Sequence, residues 1–181
     1  DLPEVSPAMT SSTAARTRHR GFTTTAVHAG QEPDPLTGAV IPPIYQTSTF
    51  AQDGINVLRA GHEYSRGSNP TRSGFEEQLA ALERGERGFA FASGIAAEDA
   101  LLRAVLRPGG HIVLGADGYG GTNRLITKVL APWDVASTPV DITDLDAVRA
   151  AVRPGATQVL WLETPSNPLL RIVDVAAVAQ A

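Results

Sequence analysis

Several short stretches carry side chains suited to holding an anion and a planar ring. The first is Arg87 to Leu106, in which a short apolar run, Phe89 to Ala92, meets Ser93-Gly94. The run is too brief for a helix and is bounded by Gly88 and Gly94, so it predicts a buried strand. Beyond it Ile95, Leu101, Leu102, Val105 and Leu106 recur near helical spacing in Ala-rich sequence, which predicts a helix from about Ile95. A strand that delivers Ser-Gly to a helix N-terminus leaves amide N–H groups unpartnered at the positive end of the helix dipole, a seat for phosphate. A tight βα turn with no ligand has the same local pattern. Neither GxGxxG nor GxxxxGK[ST] occurs, so a nucleotide-binding domain lacks both of its usual fingerprints.

The second stretch, His62 to Arg72, crowds Tyr64, Arg66 and Arg72 among Ser65, Ser68, Asn69 and Thr71. Arginine supplies a fixed fork of donors and tyrosine a hydroxyl, a combination that suits phosphate or carboxylate. The same residues also read as a polar turn, Ser68-Asn69-Pro70, that caps the following helix. Three further positions follow apparent strands. Tyr119, flanked by glycines, is free to lay its ring against a planar ligand, or merely covers a sheet edge. Asn167 in Ser-Asn-Pro points to a ligand contact or to a plain turn. Glu163, at a strand end, is a candidate site residue or a buried structural partner.

The elements that must position these residues alternate. A helix runs from Pro70 to a stop at Gly85, with Phe75, Leu79 and Leu82 on one face. His111 to Leu114 predicts a strand, Asp117 to Thr122 a loop, and Leu125 to Leu130 the beginning of a helix. Val135 to Val140 predicts a strand, Leu145 to Val152 a helix, and Gln158 to Leu162 a strand. Strands spaced by helices argue an α/β fold with a mainly parallel sheet, whose ligands gather at the carboxyl ends of the strands. Ser93-Gly94, Tyr119 and Asn167 can then share one rim.

The whole chain has 181 residues, is 43% hydrophobic and carries a net charge of −4. That is enough to bury a core, and it offers no basic face for nucleic acid and no charge run for a membrane surface. Cysteine is absent, which excludes disulfides, thiolate metal sites and a Cys nucleophile. His19, His28, His62 and His111 do not fall at metal-ligand spacing, so no metal is expected. With no long apolar run and no apolar signal core, a soluble cytoplasmic protein is expected. Residues 1–20 read as a disordered polar tail, in which Met9 is a candidate natural start and Asp1 and Glu4 sit badly in a transit peptide. Residues 21–62, with Pro33, Pro35, Pro42 and Pro43, read as an extended arm of irregular structure that leans on another body such as a neighbouring subunit. Residues 63–181 would form the α/β domain.

Four motifs in order, YSRGSNPTR, FASGIAA, DGYGGTNR and WLETPSNP, resemble the pyridoxal-phosphate enzymes of transsulfuration, and AVHAGQEPDPLTGAVIPPIYQTSTF is similar to their N-terminal segment. The likeness runs from about Thr24 to the end. It implies the fold of type I pyridoxal-phosphate-dependent transferases, incomplete here and preceded by the N-terminal arm, with pyridoxal 5'-phosphate as cofactor. Residue by residue, it implies that Tyr64 and Arg66 reach the cofactor phosphate of a neighbouring subunit. Ser93, Gly94 and Ile95 would seat the phosphate of their own subunit. Tyr119 would stack on the pyridine ring, Asn167 would approach the ring hydroxyl, and Glu163 would stand beside it; Tyr119 and Tyr64 are the candidate catalytic side chains. Two departures stand out: YSRGSNP exchanges Ser and Gly relative to the commoner YSRSGNP, and Gly121 replaces the Cys usual in methionine γ-lyases, which disfavours that member.

Pyridoxal chemistry needs a lysine to hold the cofactor as a Schiff base and an acid at the pyridine nitrogen. Lys128 is the sole lysine and lies in a predicted helix, at a position with no such role in the family. Family members run to about twice this length, so the chain is expected to be an N-terminal half whose catalytic lysine and acid lie in the C-terminal half. The implied activity is γ-replacement or γ-elimination on homoserine esters or cystathionine, with the cystathionine γ-synthase reaction ahead of the γ-lyase reaction. A non-catalytic fragment without the Schiff-base lysine is the alternative class. Residues offered to a neighbour's cofactor imply at least a dimer, with a tetramer expected, acting on an amino-acid substrate.

Overall fold

The computed structural model describes residues 21–181, so the predicted tail at 1–20 lies outside the described residues. Contacts divide the chain into one compact unit that ends at Gly88 and a second, Phe89–Ala181. No helix among the described residues is long and apolar enough to cross a membrane.

The second unit is α/β. Strand β3 (His111–Gly115) lies between β4 (Ala136–Val140) and β5 (Thr157–Trp161), and both pairings are parallel. Pairing on both edges and packing on both faces explain why His111 to Leu114 is continuously buried, as expected of a central parallel strand. Ile112 and Leu114 share a face and pack with Leu102 and Leu106 from α3 (Gly94–Val105) and its end, and with Leu125, Ile126 and Leu130. These last residues lie on a π-helical stretch, Leu125–Leu130, that continues α4 (Gly120–Arg124). Its i→i+5 bonding matches a five-residue spacing between two buried leucines. The other face is covered by α5 (Leu145–Ala151) and α6 (Val175–Gln180), whose Val148 and Val178 cluster with Ile142, Val173 and Leu160. Asp144 and Asp174 cap these two helices through their carboxylates.

The predicted strands at 111, 135 and 158 and the helices at 95 and 145 therefore form within a residue or two of expectation. Two expectations for this unit are corrected. Phe89 to Ala92 belongs to neither sheet, and Phe89 is 71% exposed. An apolar run records strand propensity but not the presence of a partner ladder, and neither edge strand of this sheet takes it. The helix expected from Leu125 begins at Gly120 instead, because Gly120 and Gly121 are helical rather than loop.

The first unit holds α1 (Phe22–His28), a two-stranded antiparallel ribbon of β1 (Gln52–Gly54) and β2 (Val57–Leu58), and α2 (Pro70–Glu83). Asn69 caps α2 by accepting from Thr71 N, with Pro70 in the first turn, as the sequence predicts. The expected irregular arm contains α1, which the Thr-rich sequence FTTTAVH does not advertise. Packing on α2 overrides propensity: Gln78 Nε2 donates to Ala26 O at 2.6 Å, and a side chain at Gly30 would run into the Gly74 carbonyl. Asp34 organises the rest, accepting from Leu36 N, Thr37 N, Thr37 Oγ1 and the Tyr45 hydroxyl.

One buried group in the sheet couples folding to pH. His111 is 1% exposed and joins all three strands, its Nδ1 2.8 Å from Thr157 Oγ1 and its Nε2 2.8 Å from Thr138 Oγ1. Burial, and then the positive Arg153, push its pKa below the usual histidine value. The folded state thus binds this proton less readily than the unfolded chain, whose histidine titrates near ~6.5. Its stabilisation is complete above that value and is lost as pH falls below it. Urea denaturation of the whole protein between about pH 7.5 and about pH 5.5 is expected to show a stability loss that His111→Gln reduces.

Candidate active site

In the second unit, the carboxyl ends of β3 and β5 and the N-terminus of α3 meet. Ser93 stands before α3 in extended conformation (φ −160°, ψ 161°), and its Oγ accepts from Ala96 N at 3.2 Å. Its carbonyl accepts from Ala97 N. Among the described residues, this leaves the amides of Gly94 and Ile95 as the first-turn donors without a protein acceptor. No atom lies within 4 Å of where a Gly94 side chain would begin, so the space ahead of the helix is open.

Tyr119 follows β3 and caps α4, its carbonyl accepting from Asn123 N. Its ring lies against Gly121, where any side chain would collide with it, and Ile95 Cδ1 comes within 2.9 Å of the same point. The aromatic ring and the α3 N-terminus are therefore neighbours, and the ring remains 44% exposed. Its backbone is held from β5: Glu163 Oε2 accepts from Tyr119 N at 2.9 Å. Glu163 Oε1 lies 3.3 Å from Thr122 Oγ1 and 3.4 Å from Trp161 Nε1. The Thr122 hydroxyl also reaches Glu98 Oε2 of α3 at 2.8 Å. Both oxygens of Glu163 are thus engaged by protein donors.

Asn167 is exposed in the loop after β5, on the same end of the sheet. Its neighbour Ser166 is 2% exposed and donates to Asp117 Oδ2 at 2.7 Å, which ties the Asn167 loop to the Tyr119 loop. Arg171 extends the tie: its backbone N–H donates to Ser166 Oγ, and its guanidinium pairs with Asp141 Oδ2 at 2.9 Å, beyond β4. Arg171 and Thr122 also hold Asp141 and Glu98 in place across strand ends, and neither was legible as a site residue. A lone Thr or Arg carries no spacing signal.

Tyr64 and Arg66 lie in the first unit. Backbone bonds from Gly67 N and Ser68 N to Tyr64 O form the turn, and Ser65 N pairs with Ser48 O. The Arg66 guanidinium carbon sits 5.0 Å from the centre of the Tyr64 ring. Among the described residues no carboxylate pairs with it, so its fork of donors is open to an anion. Arg72, which the sequence offers as a second anion ligand, is instead structural. It donates to Ser65 O and Gly67 O and pairs with Glu76 at 3.3 Å. Lys128 is exposed on the π-helical stretch.

Residues 23–181 match the model of the Cys/Met metabolism PLP-dependent enzyme family. The chain is 56% identical over 168 residues to the cystathionine gamma-synthase of Mycobacterium tuberculosis, covering 91% of this chain and 43% of that protein. It is 48% identical over 169 residues to the cystathionine beta-lyase of Coxiella burnetii, covering 93% and 43%. The crystal structure of MetB from Corynebacterium glutamicum superposes with a TM-score of 0.87 at 49% identity, over 90% of this chain and 42% of that one. That of cystathionine gamma-lyase from Lactobacillus plantarum, complexed with L-serine, does so with a TM-score of 0.83 at 47% identity, over 89% and 41%. The chain therefore spans less than half the length of these relatives.

The contact between the Tyr119 ring and Gly121 has a direct test. Gly121→Ala is expected to swing the ring outward and displace Ile95 Cδ1, at a stability cost near the lower end of about 1–3 kcal/mol because both are ends of flexible side chains. Nitration mapped by mass spectrometry should find Tyr119 more reactive in the variant, with Tyr45 and Tyr64 unchanged.

Proposed function

Because the chain belongs to the Cys/Met metabolism PLP-dependent enzymes, we propose that it is the N-terminal part of a transsulfuration enzyme acting at the γ-carbon of homoserine esters or cystathionine. The γ-synthase reaction is placed first, supported by the relative at 56% identity that bears that name. Relatives named cystathionine beta-lyase at 48% identity and cystathionine gamma-lyase at 47% keep cystathionine cleavage as the second reading.

The observation that carries the proposal is that the open N-terminus of α3 and the Tyr119 ring are neighbours, with Ile95 and the ring both lying against Gly121. Gly94 and Ile95 present amides at the positive end of a 12-residue helix, next to open space. The half-exposed Tyr119 ring stands beside them. These residues fit pyridoxal 5'-phosphate, whose phosphate and flat ring call for such a pair. When bound, the cofactor supplies an electron sink for the carbanion that amino-acid chemistry at the β- and γ-carbons requires. On this reading Ser93 orients the seat by capping α3, Tyr119 covers one face of the ring, and Asn167 approaches the ring hydroxyl. Tyr64 and Arg66 are offered to the phosphate of a neighbouring subunit, which makes the enzyme at least a dimer and, in our reading, a tetramer in the cytoplasm. The lysine and the ring-nitrogen acid are assigned to the rest of the protein, since Lys128 is a solvated helix residue.

Whole protein should carry a visible cofactor band and form cystathionine from O-succinylhomoserine and cysteine faster than it cleaves cystathionine. The reverse preference would exchange the two readings, and a colourless protein without turnover would overturn both. The shared site gives a sharper result. Arg66→Ala and Tyr119→Ala should each be nearly inactive, yet subunits mixed after dissociation should regain roughly a quarter of parent activity, since random hybrids rebuild one intact site of two.

A further inference from the structure

We propose, resting on the functional reading above, that Glu163 serves the reaction through Tyr119: its carboxylate is a positioning group that sets the plane of the tyrosine ring and makes no contact with the cofactor. The resemblance places Glu163 among the cofactor's neighbours, but the geometry uses it otherwise. One oxygen accepts from Tyr119 N at 2.9 Å, and the other lies within reach of Thr122 Oγ1 and Trp161 Nε1. Tyr119 N and Trp161 Nε1 are donors from the protein itself, one to each oxygen, so the carboxylate is already occupied even with the Thr122 proton given to Glu98. Thr122, 1% exposed, continues the chain to Glu98 on α3 at 2.8 Å. A continuous set of bonds thus links the helix that seats the anion, the turn that carries the ring and the end of β5.

The anchor acts at a sensitive place. Tyr119 is the residue that enters α4, so the direction of its N–H sets the backbone from which the ring departs. On its far side the ring is stopped by Gly121 and Ile95. Glu163 thus fixes the backbone end of a residue whose ring rests against Gly121 on one side; without Glu163 that backbone end is released.

The proposal separates shape from charge. Glu163→Gln keeps one carbonyl oxygen for Tyr119 N, its amide NH2 can donate to Thr122 Oγ1, whose own proton goes to Glu98, and it gives up only the long 3.4 Å bond from Trp161 Nε1. Glu163→Ala keeps neither. In whole protein loaded with cofactor, the readouts are the dissociation constant of pyridoxal phosphate and the visible circular dichroism of the bound cofactor, which reports the asymmetry of the ring's surroundings. Glu163→Ala should weaken retention about tenfold and change the dichroic band, whereas Glu163→Gln should stay within about threefold of the parent. In a Tyr119→Ala background, Glu163→Ala should add no further loss, because no ring remains to be misplaced. Equal losses for Gln and Ala would mean that the charge itself acts on the cofactor, and additive losses in the Tyr119→Ala background would mean that Glu163 acts independently of the ring. Either result overturns the inference, as does an unchanged Glu163→Ala. If Glu163→Ala fails to fold, the Gln variant decides: a parent-like band supports the inference and a lost band overturns it. A parent protein that binds no pyridoxal phosphate would instead remove the functional reading, and this inference with it.

Discussion

Parallel pairing of β3 on both of its edges is the constraint on which the second unit depends. His111 to Gly115 pairs residue by residue with Ala136 to Val140, and His111 to Leu114 pairs with Thr157 to Trp161 across one irregularity. Parallel register sends all three carboxyl ends the same way, so the loops at 116–119, 141–144 and 162–167 must emerge on one rim. A connection between parallel strands must also cross the sheet, and that forces α4 and α5 to start from this rim. The cleft is thus a consequence of the ladder rather than of any loop's own preference.

Much of this was legible in the sequence because it follows from burial. A central strand covered on both faces reads as a continuous apolar run, and HIVL is one. Asn69, Ser93, Asp144 and Asp174 are short polar residues ahead of helical runs, and each caps its helix. What could not be read depends on partners distant in the chain. Phe89 to Ala92 has the composition of a strand but lies outside both sheets, and FTTTAVH has poor helix propensity but forms α1 beside α2. Propensity describes a segment, whereas pairing and packing describe two.

The site divides in the same way. The unpartnered amides of Gly94 and Ile95 are local, made by two consecutive residues and the helix they open, and the Ser-Gly turn ahead of an apolar helical run makes them legible. The polar ties are not local. Glu163 meets Tyr119 across 44 positions, Ser166 meets Asp117 across 49, and Arg171 meets Asp141 across 30. Arg72 shows the opposite error: it stands in a motif rich in anion ligands, yet its guanidinium is spent on two carbonyls of the Tyr64 turn and on Glu76. Residue type does not separate Arg66 from Arg72; only geometry shows that the first guanidinium has no carboxylate partner among the described residues and that the second is occupied.

The glycines around Tyr119 sharpen the same point. On the sequence they read as freedom for the ring, a matter of flexible backbone. None of Gly118, Gly120 or Gly121 has the positive φ that glycine alone tolerates well. What Gly121 provides is space: the Tyr119 ring lies where its side chain would begin, so a single added carbon atom would displace the ring. In DGYGGT the steric part therefore belongs to Gly121: the absence of its side chain lets the Tyr119 ring rest against the start of α4, beside Ile95, while its outer part stays in solvent.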